Sequence, residues 1–585
     1  MKNVKCFIEK NKSLNDNYWI YEKPSRELVN KIISAFDLSE TIATIIARRY
    51  IDDKDLEYIL NPTLKNNLPD PILLKNMNKV IQIVIEKISR NTRIGVLGDY
   101  DVDGATSTAI LYKYFEYIGV NVEVFIPDRI KDGYGISKNS IDYFFSKNIK
   151  FLITLDCGTN DSEFISYAKD KEIEIIVIDH HEVKKLGSPL SIINPKLIDD
   201  ESNLDNLCTA GLVFLFVIAL NRQLRKEKYF KNKIEPDIKN LLDIVAVGTI
   251  CDLVPLKNEN RLLVKKGLEV LNLNTNQGLN ILRSKLDLVN NIKASDIAYY
   301  IGPCINAAGR IGDSSLGFNL LVRKEKKELE KLAEKLINSN NERKTLETLT
   351  YNQAKLLVKN TSDMKFIFLY NNIWHPGILG IIASRLVQEF KVPTFIMNID
   401  HTKVTGSVRS IKNVDISKIL AELVNKGYLE SGGGHAMAGG FKLKEEKLMS
   451  FYDFLKKNKN VFFKGTKNAI NIDLEATIYD LNEDMIVSLE KLEPFGMSYP
   501  EPKILIKKVS SIYAKKIGKD KNHLSCILED IYGKKINAII FNLENENIRS
   551  AIEEKKQFDV IGKISLNAWN NKKAPQFFIE DLKII

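Results

Sequence analysis

This sequence predicts an α/β fold: a parallel-sheet domain linked by a long helix to a second α/β domain, followed by a C-terminal β-barrel. Three observations carry that reading. From about residue 76 to 320 short apolar runs alternate with helical patterns, the signature of strand–helix–strand units. Between Gly317 and Pro376 neither glycine nor proline interrupts the chain. From about residue 465 short alternating segments succeed one another, the pattern of a small barrel.

The elements follow in order. Residues 1–75 read as a helical N-terminal cap, with amphipathic pieces at 25–35 and 39–49. In the domain spanning 76–320, Arg93-Ile94-Gly95-Val96-Leu97-Gly98 reads as a buried strand before a helix at 106–117, and a helix at 136–147 follows Asp132-Gly133-Tyr134-Gly135. Further strands are read at 151–155, 173–178 and 244–247. Leu329, Leu332, Ala333, Leu336 and Ile337 recur at helical spacing in a connecting helix over 321–362, with a break expected near 338–341. The second α/β domain, 363–462, is given strands at 366–370 and 393–399, a helix at 378–390 and a glycine-dense loop at 432–440 that lets backbone approach a ligand closely. The barrel, 463–585, takes strands at 470–474, 503–506, 523–528, 536–541, 558–561 and 577–579.

Acidic and imidazole groups stand just beyond four apolar runs of the first domain. Asp99, Asp101 and Asp103 follow the first, Asp156 the second, Asp179-His180-His181 the third and Asp252 the fourth. Ligands of open parallel sheets sit outside the carboxyl ends of the strands, so the four segments converge on one crevice. Crowded carboxylates repel one another, and a divalent cation pair relieves that repulsion while activating water for phosphoester hydrolysis. A two-metal hydrolase site is the reading that results. Oxygen ligands with one or two imidazoles suit Mn2+ or Mg2+, with zinc left as an alternative. Taken alone, Asp101 reads equally well as a helix cap.

The chain has 585 residues, 44% hydrophobic and 27% charged, a soluble composition with room for about three or four domains. No apolar stretch reaches the roughly 20 residues of a membrane span, and residues 1–12 lack a secretory core, which predicts a cytoplasmic protein. Six cysteines (Cys6, Cys157, Cys208, Cys251, Cys304, Cys526) form no CxxC pair, so they are expected reduced and mostly buried. A net charge of +10 favours a polyanionic partner such as nucleic acid.

The motifs resemble the DHH phosphoesterase superfamily and, within it, the RecJ single-strand-specific 5′→3′ DNA exonucleases. The resemblance rests on Asp179-His180-His181-Glu182, on Gly98-Asp99-Tyr100-Asp101-Val102-Asp103-Gly104, on Leu155-Asp156-Cys157-Gly158 and on Gly248-Thr249-Ile250-Cys251-Asp252. It continues through Asn306-Ala307-Ala308-Gly309-Arg310, Trp374-His375-Pro376-Gly377, Gly406-Ser407-Val408-Arg409 and Gly433-Gly434-His435, the last three groups belonging to a DHH-associated domain. The terminal barrel resembles the RecJ OB-fold.

By position, the resemblance implies that Asp99, Asp101, Asp103, Asp156, His180 and Asp252 hold two divalent cations, with Asp156 bridging and His181 facing the scissile phosphate. His181, Asp156 and Asp101 are the implied catalytic residues, and Arg129, Ser407 and Arg409 the pocket for a terminal 5′-phosphate. Arg310 and His435 would contact nucleic acid. Without the resemblance, Arg129 reads as a surface ion-pair residue and His375 as a residue that starts a helix. The implied activity is release of 5′-mononucleotides from single-stranded DNA in repair and recombination, with a helicase and a single-strand-binding protein as partners. Two departures from the family pattern stand out. Cys304 replaces an expected arginine, which removes a cation from the nucleic-acid path, and residues 493–500 carry an altered turn. In the barrel Lys507, Lys508, Lys515, Lys516, Lys519 and Lys521 surround Tyr513 as a strand-binding or merely solvated face, and Trp569, Phe577 and Phe578 read as core.

Two rival readings compete with this one. A DHH hydrolase of short RNA oligonucleotides or nucleotide phosphates would lack the barrel and the N-terminal extension, and a non-cutting repair scaffold would have lost metal ligands.

Overall fold

The computed structural model describes residues 11–49, 53–129, 131–359, 365–463, 468–518, 521–543, 545–569 and 572–585. Cys6 and Lys519 lie outside the described residues, as does the side chain of Trp569.

The first domain is built on a five-stranded parallel sheet in the order Val122–Phe125, Ile94–Leu97, Phe151–Leu155, Glu174–Ile178, Ser191–Ile193. Ile94–Leu97 and Phe151–Leu155 are buried along their whole length, which is why they read as continuous apolar runs rather than alternating ones. The strand order reverses between these two, and the crevice beyond their carboxyl ends is where such sheets place ligands. Helices Val102–Ile118 and Thr209–Lys226 start at that crevice and pack against the sheet.

Residues 244–247 are not a strand. They lie in a helix, Leu242–Cys251, with Asp252 at its C-cap. Every residue from Leu242 to Ile250 is buried, and a helix that is apolar all round gives the same unbroken run as a central strand.

The connecting helix runs unbroken from Lys326 to Lys359, without the break expected near 338–341. Its 34 residues span about 50 Å. Asn340 is buried and donates through Nδ2 to Cys304 Sγ at 3.4 Å, so this asparagine is absorbed by packing, while Asn338 and Asn341 lie on the helix's exposed side.

The second α/β unit holds a five-stranded sheet ordered Ser431–His435, Ala438–Lys444, Lys403–Arg409, Thr394–Asp400, Ile367–Asn371, parallel only in the last pair. The glycine-dense stretch expected as a loop is a β-hairpin, Ser431–His435 against Ala438–Lys444. Trp374, 1% exposed, donates to Gln353 on the long helix at 3.0 Å. His375 N-caps the turn Pro376–Ile378 by accepting from the Gly377 amide, so it starts a helix as the residues alone suggested.

In the C-terminal region Ile504–Ile517, His523–Asp530, Lys535–Ile540, Lys572–Ile584 and Phe558–Trp569 pair in succession, and Phe558–Trp569 returns to Ile504–Ile517 to close a five-stranded barrel. Phe577 is core; Phe578 is only half-buried and stacks on the exposed Phe541 at 6.0 Å, a correction to its reading as core. The N-terminal region is not only a helical cap. Tyr18–Ile20 is a strand parallel to Ala469–Asn471, and buried Asp581 of the barrel accepts from Ser13, Asn17 and Trp19. The altered turn at 493–500 closes through reciprocal Gly496 and Tyr499 backbone bonds of 2.9 and 3.1 Å. No helix among the described residues is long and apolar enough to cross a membrane.

Candidate metal centre

The sheet delivers three of its four acidic segments as strand ends: Asp99 after Ile94–Leu97, Asp156 after Phe151–Leu155, and Asp179-His180-His181 after Glu174–Ile178. Asp156 holds φ +64°, a left-handed conformation that aspartate tolerates better than most residues, and its amide donates to Ile178 at 3.1 Å. Asp101 does cap the helix Val102–Ile118, accepting from the Gly104 amide at 3.1 Å. The capping and metal readings are therefore compatible, because one carboxylate oxygen caps while the other is free to face the cleft. A Cβ on Gly104 would stand 2.3 Å from the Asp99 carbonyl oxygen, so only glycine lets the acidic loop fold this tightly.

The ligand atoms cluster in three overlapping groups: Asp99, Asp101 and Asp156; Asp103, His180 and Asp252; and Asp156, His180 and His181. His180 Nε2 lies 3.5 Å from Asp156, 3.6 Å from Asp252 and 3.9 Å from Asp103. All six predicted ligands thus meet, and Asp156 stands between two sets. Asp252 reaches the cluster from a helix end rather than a strand end.

The electrostatics fit cations. Burial, then neighbouring carboxylates, pushes Asp99, Asp156 and Asp252 well above the ordinary carboxylate range, and burial with Asp101 holds Asp103 at about 6. Asp99 Oδ1 and Asp252 Oδ2 are buried without a hydrogen-bond partner among the described residues. Burial pushes His180 down to about 3, leaving it a neutral imidazole, the form that ligates metal. The residues present can hold divalent ions.

Supporting groups outside the predicted ligand set surround the cluster. Asp179 accepts from the His180 amide at 2.8 Å and contacts His181 Nδ1 at 2.7 Å. Against the effect of burial, the histidines hold Asp179 well below its usual range, and Asp179 in turn raises His181. Thr209 donates from Oγ1 to Asp156 at 3.0 Å, while the Thr209 and Ala210 amides at a helix N-terminus donate to Asp103 at 2.7 and 2.9 Å. The Tyr134 hydroxyl donates to the Asp156 carbonyl at 3.2 Å and lies 3.1 Å from the His181 ring. Only the Asp-His-His triplet had a local signal; Thr209 and Tyr134 had none.

A cationic rim faces the acidic centre. Arg129 stacks on Tyr100 at 5.1 Å, and Arg409 Nη1 donates to Ser407 at 3.0 Å. Arg310 is pushed down to about 10 by burial and by the neighbouring Arg129, Arg343 and Arg409, so these side chains share one region. Gly380, in the first turn of the helix Leu379–Phe390, leaves room there: a Cβ would lie 2.7 Å from Arg409 Nη2 and 3.1 Å from Ser407 Oγ. Arg310 also donates to the Gly377 carbonyl at 3.2 Å, joining the two α/β units. His435 is exposed on the hairpin, and partial desolvation, with the positive charges of Lys196 and His181, lowers it. Cys304 is fully buried beneath the long helix, so the substitution falls in packing rather than on an open nucleic-acid path.

This fold and site define a metal-dependent phosphoesterase. Family models match at residues 93–249 (DHH family, N-terminal domain), 363–460 (DHHA1 domain) and 472–581 (RecJ OB domain). The chain is 30% identical over 522 residues to the single-stranded-DNA-specific exonuclease RecJ of Thermus thermophilus, covering 89% of this chain and 73% of that one. It is 28% identical over 573 residues to the Bacillus subtilis exonuclease of the same description, covering 97% and 71%. The crystal structure of the Thermus thermophilus RecJ in complex with Mn2+ superimposes with TM-score 0.79 at 27% identity, covering 96% of this chain and 79% of that one. The chain belongs to the RecJ family of single-stranded-DNA-specific exonucleases.

Proposed function

We propose that this exonuclease cuts single-stranded DNA from the 5′ end, releasing 5′-mononucleotides with two divalent cations, manganese or magnesium, in DNA repair and recombination. The observation that carries the reading is the division of Asp99, Asp101, Asp103, Asp156, His180 and Asp252 into two adjoining groups with Asp156 between them.

Asp99, Asp101 and Asp156 would hold one ion, and Asp103, His180 and Asp252 the other, with Asp156 shared. The ions, when bound, supply an activated water and screen charge on the phosphate. The protein does the rest. Asp179 orients His181 and keeps it charged more readily, so that the ring would donate to a phosphate oxygen or protonate the departing 3′-oxygen. Thr209 fixes the Asp156 carboxylate. Arg129, Arg409 and Ser407, beside the N-terminus of Leu379–Phe390, are suited to a terminal 5′-phosphate, because guanidinium donors bind phosphate oxygens in charge-assisted pairs. Arg310 and His435 line the path of the strand. The working division of the chain is a cap at 1–75, catalytic domain 76–320, connector 321–362, associated domain 363–462 and OB barrel 463–585, with a helicase and a single-strand-binding protein supplying the substrate.

Digestion of single strands labelled at the 5′ or the 3′ end, with Mn2+ or Mg2+, tests the proposal. The expected result is labelled mononucleotide from the 5′ end at the earliest times. Early release of the 3′ label would overturn the polarity.

A further inference from the structure

A second cationic cavity, of about 760 Å³, lies where the N-terminal helices, the loop after Asp252 and the barrel meet. Arg48 and Arg49 reach it from the end of the helix Glu40–Arg48, and Lys257 and Arg261 from the start of Asn258–Asn272. Lys503 lines it before the barrel's first long strand.

Asp473 is the one carboxylate on its wall among the described residues, and it is already occupied. It accepts from Arg49 Nε at 2.8 Å, Arg49 Nη2 at 3.2 Å and the Lys503 amide at 2.9 Å. Lys503 is paired with Glu580. Arg48, Lys257 and Arg261 have no carboxylate partner among the described residues.

Three buried donors at this cavity also lack an acceptor among the described residues: Arg48 Nε, Arg49 Nη1 and Arg261 Nε. Arg261 is 1% exposed and cannot swing, since its Nη atoms donate to the carbonyls of Leu492, Glu493 and Pro494 at 2.6–2.9 Å. The Tyr499 ring lies 4.4 Å from the Arg261 guanidinium and 4.8 Å from that of Arg49, holding both in place. Buried polar groups are nearly always satisfied in folded proteins, so several orphan guanidinium N–H groups around one cavity call for an acceptor. Preorganised planar donors and uncompensated positive charge are the recognition chemistry of phosphate oxygens.

We propose that this cavity is a second anion site that takes a small phosphomonoester or diphosphate, of the size of a free mononucleotide or inorganic pyrophosphate. The volume falls in the range of small-molecule sites, and Ile59 and Leu256 give the wall an apolar portion against which a base or sugar can lie. None of the six predicted metal ligands lines it. The loop that begins at Asp252 forms one side, so an occupant would brace the segment that carries one of them.

Isothermal titration calorimetry of the full chain in EDTA tests the site with inorganic pyrophosphate and with deoxyadenosine 5′-monophosphate. Arg48→Leu and Lys257→Glu break no ion pair seen in the structure, and circular dichroism checks that both fold. The expected result is a binding event in the parent chain that either substitution weakens roughly tenfold or more and that persists in Arg409→Ala, a second event lost only in Arg409→Ala belonging to the proposed terminal-phosphate pocket. Three results would overturn the assignment. They are loss of binding in Arg409→Ala with retention in Arg48→Leu, sulfate binding as tightly as pyrophosphate, and displacement of pyrophosphate by a 5′-hydroxyl oligonucleotide, which would make the cavity part of the strand's track.

Discussion

Replacing Thr209 with valine removes one hydroxyl and almost nothing else. Thr209 is fully buried at the first turn of Thr209–Lys226, and its amide bond to Asp103 survives the change. What is lost is the 3.0 Å bond from Oγ1 to Asp156. Hydrogen bonds to charged groups contribute about 1.5–3 kcal/mol. Converted at about 1.4 kcal/mol per tenfold, that is roughly 10- to 100-fold in affinity for a cation at the Asp156 carboxylate, the usual range for groups that orient metal ligands. The assay is a Mn2+ titration of parent and Thr209→Val, followed by electron paramagnetic resonance of free manganese, with Thr209→Ser as the rescue. A valine variant that folds and binds Mn2+ as the parent does would refute the argument that Thr209 positions Asp156.

Arg409→Ala should slow cleavage of 5′-phosphorylated strands at least tenfold more than 5′-hydroxyl strands, measured as initial rates on both; equal losses would take Arg409 out of the terminal pocket. Asp581→Ala strips a common acceptor from Ser13, Asn17 and Trp19, so urea unfolding should show a loss of about 2–4 kcal/mol, and a change under about 0.5 kcal/mol would mean that the N-terminal strap contributes little. Burial, with Asp205 adding to it, pushes Glu259 up to about 7 from an ordinary 4.5. A raised carboxyl favours the protonated fold, so the stability it contributes is intact below about pH 4.5 and is lost as pH rises toward 7. Glu259→Gln should therefore stabilise the chain at pH 8 by a few kcal/mol at most and leave it unchanged at pH 4.5; equal effects at both values would remove burial as the cause.

The sheet and most of the metal cluster were legible because each strand is a short apolar run that stops at an acid. Asp99, Asp156 and the Asp179-His180-His181 triplet obey that rule, and the structure brings them together. Asp252 was placed in the right cluster through the wrong element, since a buried helix and a central strand write the same apolar string when both faces are covered. The glycines of Ser431–His435 were read as loop because glycine weakens strand propensity, yet register with Ala438–Lys444 holds them in a hairpin. Tyr18–Ile20 is three residues long and pairs with a strand some 450 positions away, so no local pattern announces it. Thr209 and Tyr134 act only through where the fold puts them. The Arg129, Ser407 and Arg409 cluster came from family position, and the structure brings together side chains that nothing local links.

Tyr100 offers a physical reason for the product expected of this site. It stands between Asp99 and Asp101, and its ring carries the Arg129 guanidinium at 5.1 Å. A single residue therefore separates the carboxylates of the metal cluster from the cations of the proposed end-binding pocket. The Tyr100 backbone is pinned from behind, for a Cβ on Gly309 would fall 2.3 Å from its carbonyl oxygen, and Arg310 follows directly in the chain. Negative and positive poles are thus held at a fixed, short spacing by one loop and one helix. In the proposed mechanism, a strand whose terminal phosphate sits on the arginines can present only a bond close to that end to the metals. On that proposal, repeated release of single nucleotides is expected rather than of longer pieces.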